Sequence, residues 1–218
     1  MRNTGNLITV SDYMKRKASF VLKRNDIERI YNALSFKGEE KISEKKMCFL
    51  TVGHIYNFDR FYIKGINEFI NLAKQLPEFE FLLIGGEYKK IEEWFGNKLP
   101  ENVVVLQKQK HDKLENYYQG AMFYCQFSRA ESFSLSTVEA MYFGCIPILS
   151  KKGALPEIGK EFALYSTGNI KETAEKVRQL AKVKDRGLSK HMRKYIIDNF
   201  YIENRTEKLL SFLKMRMG

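Results

Sequence analysis

The sequence predicts an α/β fold: a Rossmann-like, doubly wound parallel sheet followed by a C-terminal helical segment. Three observations predict it. Short runs rich in Val, Ile, Leu and Phe alternate with amphipathic stretches at the spacing of βαβ units. The runs are apolar almost without interruption, as strands buried on both faces must be. From residue 169 onward the runs stop and only helical patterns remain.

The elements follow in order. Leu7–Val10 and Ile27–Ile30 read as strands around one helix, a β-α-β piece too small to be a domain. The charged stretch Ser35–Lys46 reads as a linker. Five further strands are expected at Met47–Gly53, Phe79–Ile84, Val103–Leu106, Met122–Phe127 and Ile146–Leu149. Between them, Lys64–Leu76 places Ile66, Phe69, Ile70 and Ala73 on one helical face. His111–Gly120 does the same for Leu114, Tyr117 and Tyr118, and Ser134–Phe143 for Leu135, Val138, Met141 and Tyr142. Residues 55–63 read as a loop. Residues 169–216 read as two or three helices, clearest over Glu172–Val183 and Leu209–Met217, with breaks at Gly187 and at Asn199–Tyr201. The chain therefore divides into 1–45, 46–168 and 169–218.

Composition narrows the function classes. Of 218 residues, 44% are hydrophobic and 29% charged, which is globular composition with enough apolar surface for a core. No apolar run reaches the roughly 18 residues of a membrane span. The three cysteines, Cys48, Cys125 and Cys145, sit in apolar runs without metal-ligand spacing and read as reduced core residues of a cytosolic protein. The net charge of +11 is unevenly placed. Residues 1–50 hold 11 basic and 6 acidic side chains, residues 51–150 hold 10 and 12, and residues 151–218 hold 16 and 8. Basic ends suit either a Lys-rich solvated surface or peripheral contact with an anionic membrane leaflet, here the inner face. Nucleic acid is disfavoured, because no reading motif and no basic–aromatic interleaving is present. A dinucleotide oxidoreductase is disfavoured too, because no G-x-G-x-x-G follows the first long strand. Trp94 reads as a core anchor. His111, His191, Lys15-Arg16-Lys17 and Lys151-Lys152 read as surface, though the last pair follows a strand and would also suit the mouth of a nucleotide site.

The stretch Ser128–Met141 carries the most chemistry. Glu131 falls in a loop and Glu139 inside a helix that begins near Ser134, so free backbone N–H groups lie between two acids. Anion donors flanked by carboxylates that accept from hydroxyls would suit a sugar–phosphate ligand. On spacing alone, Glu131 as a solvated loop acid and Glu139 as an exposed helix acid are the plainer reading.

The wider pattern resembles a known family. Glu131-x-Phe133-x-Leu135-x-x-x-Glu139-Ala140-Met141-x-x-Gly144-x-x-Pro147-Ile148 is similar to the E-x7-E signature of group 1 retaining glycosyltransferases of the GT-B fold. Gly153-Ala154-Leu155-Pro156-Glu157-Ile158 resembles that family's G-G-x-P-E turn, with Ala154 for the second glycine. Phe49–Gly53 followed by Lys64-Gly65, then Leu82–Gly86, then Tyr117–Ala121, resemble further family segments in order over residues 47–160. The resemblance implies a nucleoside-diphosphate sugar as substrate, no cofactor, and a metal-independent transfer; no Asp-x-Asp motif occurs in the chain. It implies that Glu139 binds ribose hydroxyls, that Glu131 faces the donor sugar, and that the backbone of Ser134, Leu135 and Ser136 holds the distal phosphate. It implies that Lys64 pairs with the diphosphate near Gly53.

The sequence departs from the family where an arginine follows that glycine. His54 stands there and reads either as a phosphate contact or as a strand-end histidine, while Arg60, four residues before Lys64, is the candidate replacement guanidinium. The family has two Rossmann-like domains, with the acceptor on the N-terminal one. Residues 1–45 resemble only the last βαβ unit of that domain and the linker. The expected function is the donor-binding domain of a glycosyltransferase acting on an unknown glycan or lipid-linked acceptor with an N-terminal acceptor domain or subunit. The alternative is a non-catalytic sugar-nucleotide-binding or partner-binding subunit.

Overall fold

A computed structural model describes residues 7–34, 45–183 and 186–217, so most of the expected linker, residues 35–44, lies outside the described residues. The first two apolar runs pair with each other and not with the later ones. β1 (Leu7–Thr9) and β2 (Ile27–Arg29) form a two-stranded parallel sheet joined by α1 (Asp12–Leu22). Ser11 opens that helix, its hydroxyl accepting from the Met14 N–H at 3.1 Å. A second acceptor comes from far along the chain: the Glu157 carboxylate takes the N–H groups of Asp12 and Tyr13 at 2.8 and 3.0 Å. Negative charge at a helix N-terminus is favourable, and here it fastens the first unit to the rest. α1 buries none of its residues and leaves Phe20 85% and Val21 72% exposed.

The remaining strands build one sheet. They are β3 (Lys46–Val52), β4 (Glu80–Ile84), β5 (Val103–Leu106), β6 (Ala121–Gln126), β7 (Ile146–Ser150) and β8 (Leu164–Ser166). Their order is β5-β4-β3-β6-β7-β8 and every pairing is parallel. All seven expected strands are present. β8 was not expected, because Leu164-Tyr165-Ser166 is a half-buried edge strand too short and too polar to stand out as an apolar run. Helices cover both faces: α2 (Phe58–Ile63), α3 (Ile66–Gln75), α4 (Tyr88–Phe95), α5 (His111–Gly120), α6 (Leu135–Tyr142) and α7 (Leu155–Gly159). The last three are α8 (Ile170–Ala181), α9 (Arg186–Phe200) and α10 (Ile202–Met217). The expected break at Gly187 is corrected: that glycine lies inside the first turn of α9, and the chain leaves helix before it, at Lys182 and Val183.

Alternation along the strands explains their uniform hydrophobicity. Phe49, Phe81 and Phe123 point to one face, where their rings stack at 4.4 and 4.7 Å and pack with α3 and α8. Leu50, Leu82 and Tyr124 point to the other, against Tyr118 and Ala140. A third cluster joins α6 and α9 through Val138, Met141, Met192, Ile196 and Phe200. Trp94 packs at the edge of the first cluster, as expected of a core anchor. The three cysteines are buried and unbridged, and burial pushes the Cys48 and Cys145 thiols up to about 11. Among the described residues no helix is long and apolar enough to cross a membrane.

The strand order reverses between β3 and β6, so the loops that follow these two strands diverge to opposite faces. A crevice opens between them at the carboxyl ends of the strands, where open α/β sheets place their ligands.

Candidate functional site

Glycines bring the walls of this crevice together. Gly85, at the end of β4, holds φ at 106°, and a Cβ there would meet the Gly53 carbonyl oxygen at 1.7 Å. The floor is thus two bare backbones in contact. Gly65 holds φ at 66°, and a Cβ on it would meet the Phe127 carbonyl oxygen at 2.1 Å. Only glycine permits this approach, which seats Lys64 beside the loop after β6. Gly65 also ends one helix and starts the next, so the single helix expected over Lys64–Leu76 begins instead at Ile66. Residues 58–63, expected as loop, form α2, because the Asn57 side chain accepts from the Arg60 N–H at 2.9 Å and caps it.

On the other side, Gly153 (φ 62°) would place a Cβ 2.3 Å from the Glu131 carbonyl oxygen, and the Ala154 N–H donates to that same oxygen at 2.9 Å. The turn that follows β7 therefore grips the backbone of Glu131. Ala154 sits in right-handed helical conformation and is fully buried, so that position has no need of a second glycine.

These contacts enclose a cavity of about 470 Å³. Gly53, His54, Lys64, Glu131, Ser134, Leu135, Ser136 and Glu139 all line it, so eight of the nine expected site residues come together. Arg60 does not line it: its guanidinium lies 5.9 Å from the centre of the Tyr56 ring, on the exposed side of α2. His54 lies two residues beyond β3, exposed, with its ring 4.8 Å from that of Tyr56.

Charge within the cavity is arranged in pairs. The Lys64 ammonium donates to Glu131 Oε2 at 2.8 Å, with side chains 21% and 13% exposed. The Ser128 hydroxyl reaches the same oxygen at 3.2 Å. Ser128 in turn accepts from Gln126 at 2.6 Å, and Gln126 accepts from Tyr124 at 2.8 Å. This buried polar chain runs along one face of β6 and under the cavity. Burial holds the Tyr124 phenol far above its ordinary range, so it remains a donor. Ser134, which precedes α6, has φ at 88°, a left-handed conformation that costs a non-glycine residue about 1–2 kcal/mol. It turns the chain where α6 begins, and Ser134, Leu135 and Ser136 line the cavity there. Glu139, one turn further, is 7% exposed; its Oε2 accepts from Tyr118 at 2.8 Å and its Oε1 from His111 Nε2 at 3.0 Å.

His111 therefore needs correction. It is exposed, as expected of a surface histidine, but it lines the cavity and holds Glu139. Lys108, Gln109, Val10 and Asn32 also line the cavity and were not singled out from the sequence. Lys108 and Gln109 follow β5 in a polar run with no pattern, and Val10 and Asn32 arrive from the β1-α1-β2 unit, whose placement no local signal gives. Among the described residues no three His, Cys, Asp or Glu side chains gather as a metal site.

Comparison with known proteins places this arrangement. The sequence model of the family described as Glycosyl transferases group 1 matches residues 34–199. An uncharacterized glycosyltransferase of Methanocaldococcus jannaschii is 28% identical over 188 residues, which are 82% of this chain and 50% of the relative. The chain thus spans half the length of that relative. The crystal structure of a glycosyltransferase from Rickettsia africae superposes with a TM-score of 0.79 at 16% identity, over 96% of this chain and 63% of that one. Anabaena HepE in complex with UDP-glucose superposes with a TM-score of 0.76 at 16% identity, over 96% of this chain and 64% of that one.

Proposed function

Since the chain belongs to the group 1 glycosyl transferases, we propose that it is the donor-binding half of a retaining enzyme that takes a sugar from a nucleoside diphosphate. The observation that carries this reading is the N-terminus of α6, opening into a cavity flanked by Glu131 and Glu139 and faced by Lys64. The N–H groups of Leu135 and Ser136 have no partner earlier in the helix and would hold the distal phosphate. As the sugar departs, charge accumulates on the diphosphate. Lys64 and the helix N-terminus line the cavity where that charge would appear, and Lys64 has only to give up part of its pairing with Glu131 to meet it. Glu139 would take the ribose hydroxyls and Glu131 a hydroxyl of the donor sugar. Because HepE is held with UDP-glucose, a uridine nucleotide is the first donor to try.

The acceptor would lie on a further domain or subunit, in cis or in trans. Two features support this: the apolar residues left bare on α1, and a β1-β2 sheet that has two strands and no further pairing among the described residues. The acceptor is a glycan or lipid-linked sugar in this reading. A thermal-shift and calorimetric panel of UDP, GDP, ADP and their sugars tests the core of it. Binding of one nucleoside diphosphate, stronger than that of its nucleoside, is expected. A chain that binds none of them has no donor site.

A further inference from the structure

Glu139 is held from both sides by groups of very different kind. Tyr118 belongs to the core, at 1% exposure, and meets Oε2 at 2.8 Å. His111 opens α5 with its side chain 68% exposed, yet its Nε2 reaches across to Oε1 at 3.0 Å. A carboxylate brings no proton to either contact, so both partners must donate. Tyr118 is suited to that: burial first, then Tyr124 and Glu139, holds its phenol well above the ordinary range. Its contact is explained by the core that surrounds it. The contact of His111, 68% exposed, is not explained by burial.

Counting acceptor sites shows what the pair achieves. Each carboxylate oxygen can accept two hydrogen bonds. With one taken on each oxygen, one is left on each, and Glu139 lines the cavity. Two donors fixed by the protein therefore leave two acceptors side by side, which suits two neighbouring hydroxyls and not one. A carboxylate held by Tyr118 alone would be free to turn about its last side-chain bond and present its oxygens in many directions.

We propose that His111 is a positioning residue that locks the Glu139 carboxylate to read a vicinal pair of hydroxyls, so that the cavity selects ribonucleoside diphosphates over analogues lacking the 2′ and 3′ hydroxyls. The inference rests on the ribose role proposed above for Glu139. It adds a residue whose side chain acts through that acid and a selectivity that follows from it.

Calorimetry with UDP and 2′,3′-dideoxy-UDP, on the wild type and on His111→Ala, His111→Gln and Glu139→Gln, tests it, with GDP and ADP pairs run if UDP does not bind. His111→Ala is expected to lose about tenfold of the preference for UDP, the worth of one hydrogen bond. His111→Gln, which can still donate from its amide, regains most of it. The dideoxy analogue should bind the wild type and both His111 variants alike, which shows that fold and phosphate site are intact. A His111→Ala chain that keeps the wild-type preference, or that binds UDP more tightly, overturns the inference: the imidazole is then a bystander or a competitor for the ribose. A Glu139→Gln chain that keeps the preference overturns the ribose role of Glu139 instead. Absence of binding for all three nucleotides removes both.

Discussion

Replacing Glu131 by glutamine is expected to tighten the binding of a nucleoside diphosphate. The Lys64 ammonium is shared with Glu131 Oε2 at 2.8 Å, so part of its field is already cancelled. Glutamine keeps the shape and the acceptor for Lys64 and Ser128 but removes the charge. A unit charge about 8 Å from a phosphate charge contributes about 2 kcal/mol at an effective dielectric near 20. The two side chains are 21% and 13% exposed, so water and salt reduce this. A gain of about 1 kcal/mol, roughly fivefold in affinity, is left. Calorimetry of UDP binding at low and high salt measures it, with the gain shrinking as salt rises. For the UDP-sugar the gain should vanish, because the charged hydrogen bond from a sugar hydroxyl to the Glu131 carboxylate becomes a weaker neutral one in the variant. A Glu131→Gln chain with an unchanged melting temperature that binds UDP no better than the wild type refutes the idea that Glu131 and the diphosphate compete for Lys64.

Three other outcomes are expected. Gly65→Ala should destabilise the fold by about 3 kcal/mol in urea unfolding, combining a left-handed φ with a clash that backbone cannot relieve; a loss below about 1 kcal/mol contradicts the contact with Phe127. Arg60→Ala should leave UDP affinity within about twofold, since its guanidinium sits over Tyr56 and outside the cavity, so a large loss would return Arg60 to the diphosphate. The chain alone should bind donor but transfer sugar poorly, because a reaction that lacks a positioned acceptor loses several kcal/mol of advantage; turnover on the order of 10 per second by the monomer would show the acceptor site to be present already.

Much of this was legible because parallel strands advertise themselves. β3 to β7 are apolar on both faces and short, and Gly65, Gly85 and Gly153, which fall within the motif segments, prove to sit where backbones touch. Glu131 and Glu139 could be placed on the two sides of a helix start by spacing alone. What could not be read depends on neighbours far apart in the sequence. His111 matters only because α5 lies beside α6, a distance of 28 residues along the chain. Gln126 and Ser128 read as strand end and loop start, and only the fold shows them as a buried chain leading to Glu131. α2 was hidden because its cap, Asn57, opens a segment that reads as loop, and Arg60 was a candidate for the cavity because it lies four residues before Lys64 where the family's arginine is missing.

Glu157, which takes the first two N–H groups of α1, has a mechanical consequence. The carboxylate and the helix meet at a point and not along a surface, since the contact is two hydrogen bonds at one helix end. Such a contact resists being pulled apart, because parting would strand two N–H donors and a carboxylate at once. It resists turning much less, because a helix end can swing about a charge while both bonds persist. Glu157 thus works like a pivot whose angle is fixed elsewhere. It keeps Val10 and Asn32 at the cavity rim, while Tyr31 packed on Phe133 and Phe200, and Arg205 donating to the Ile30 carbonyl, hold the first unit at one angle to the rest.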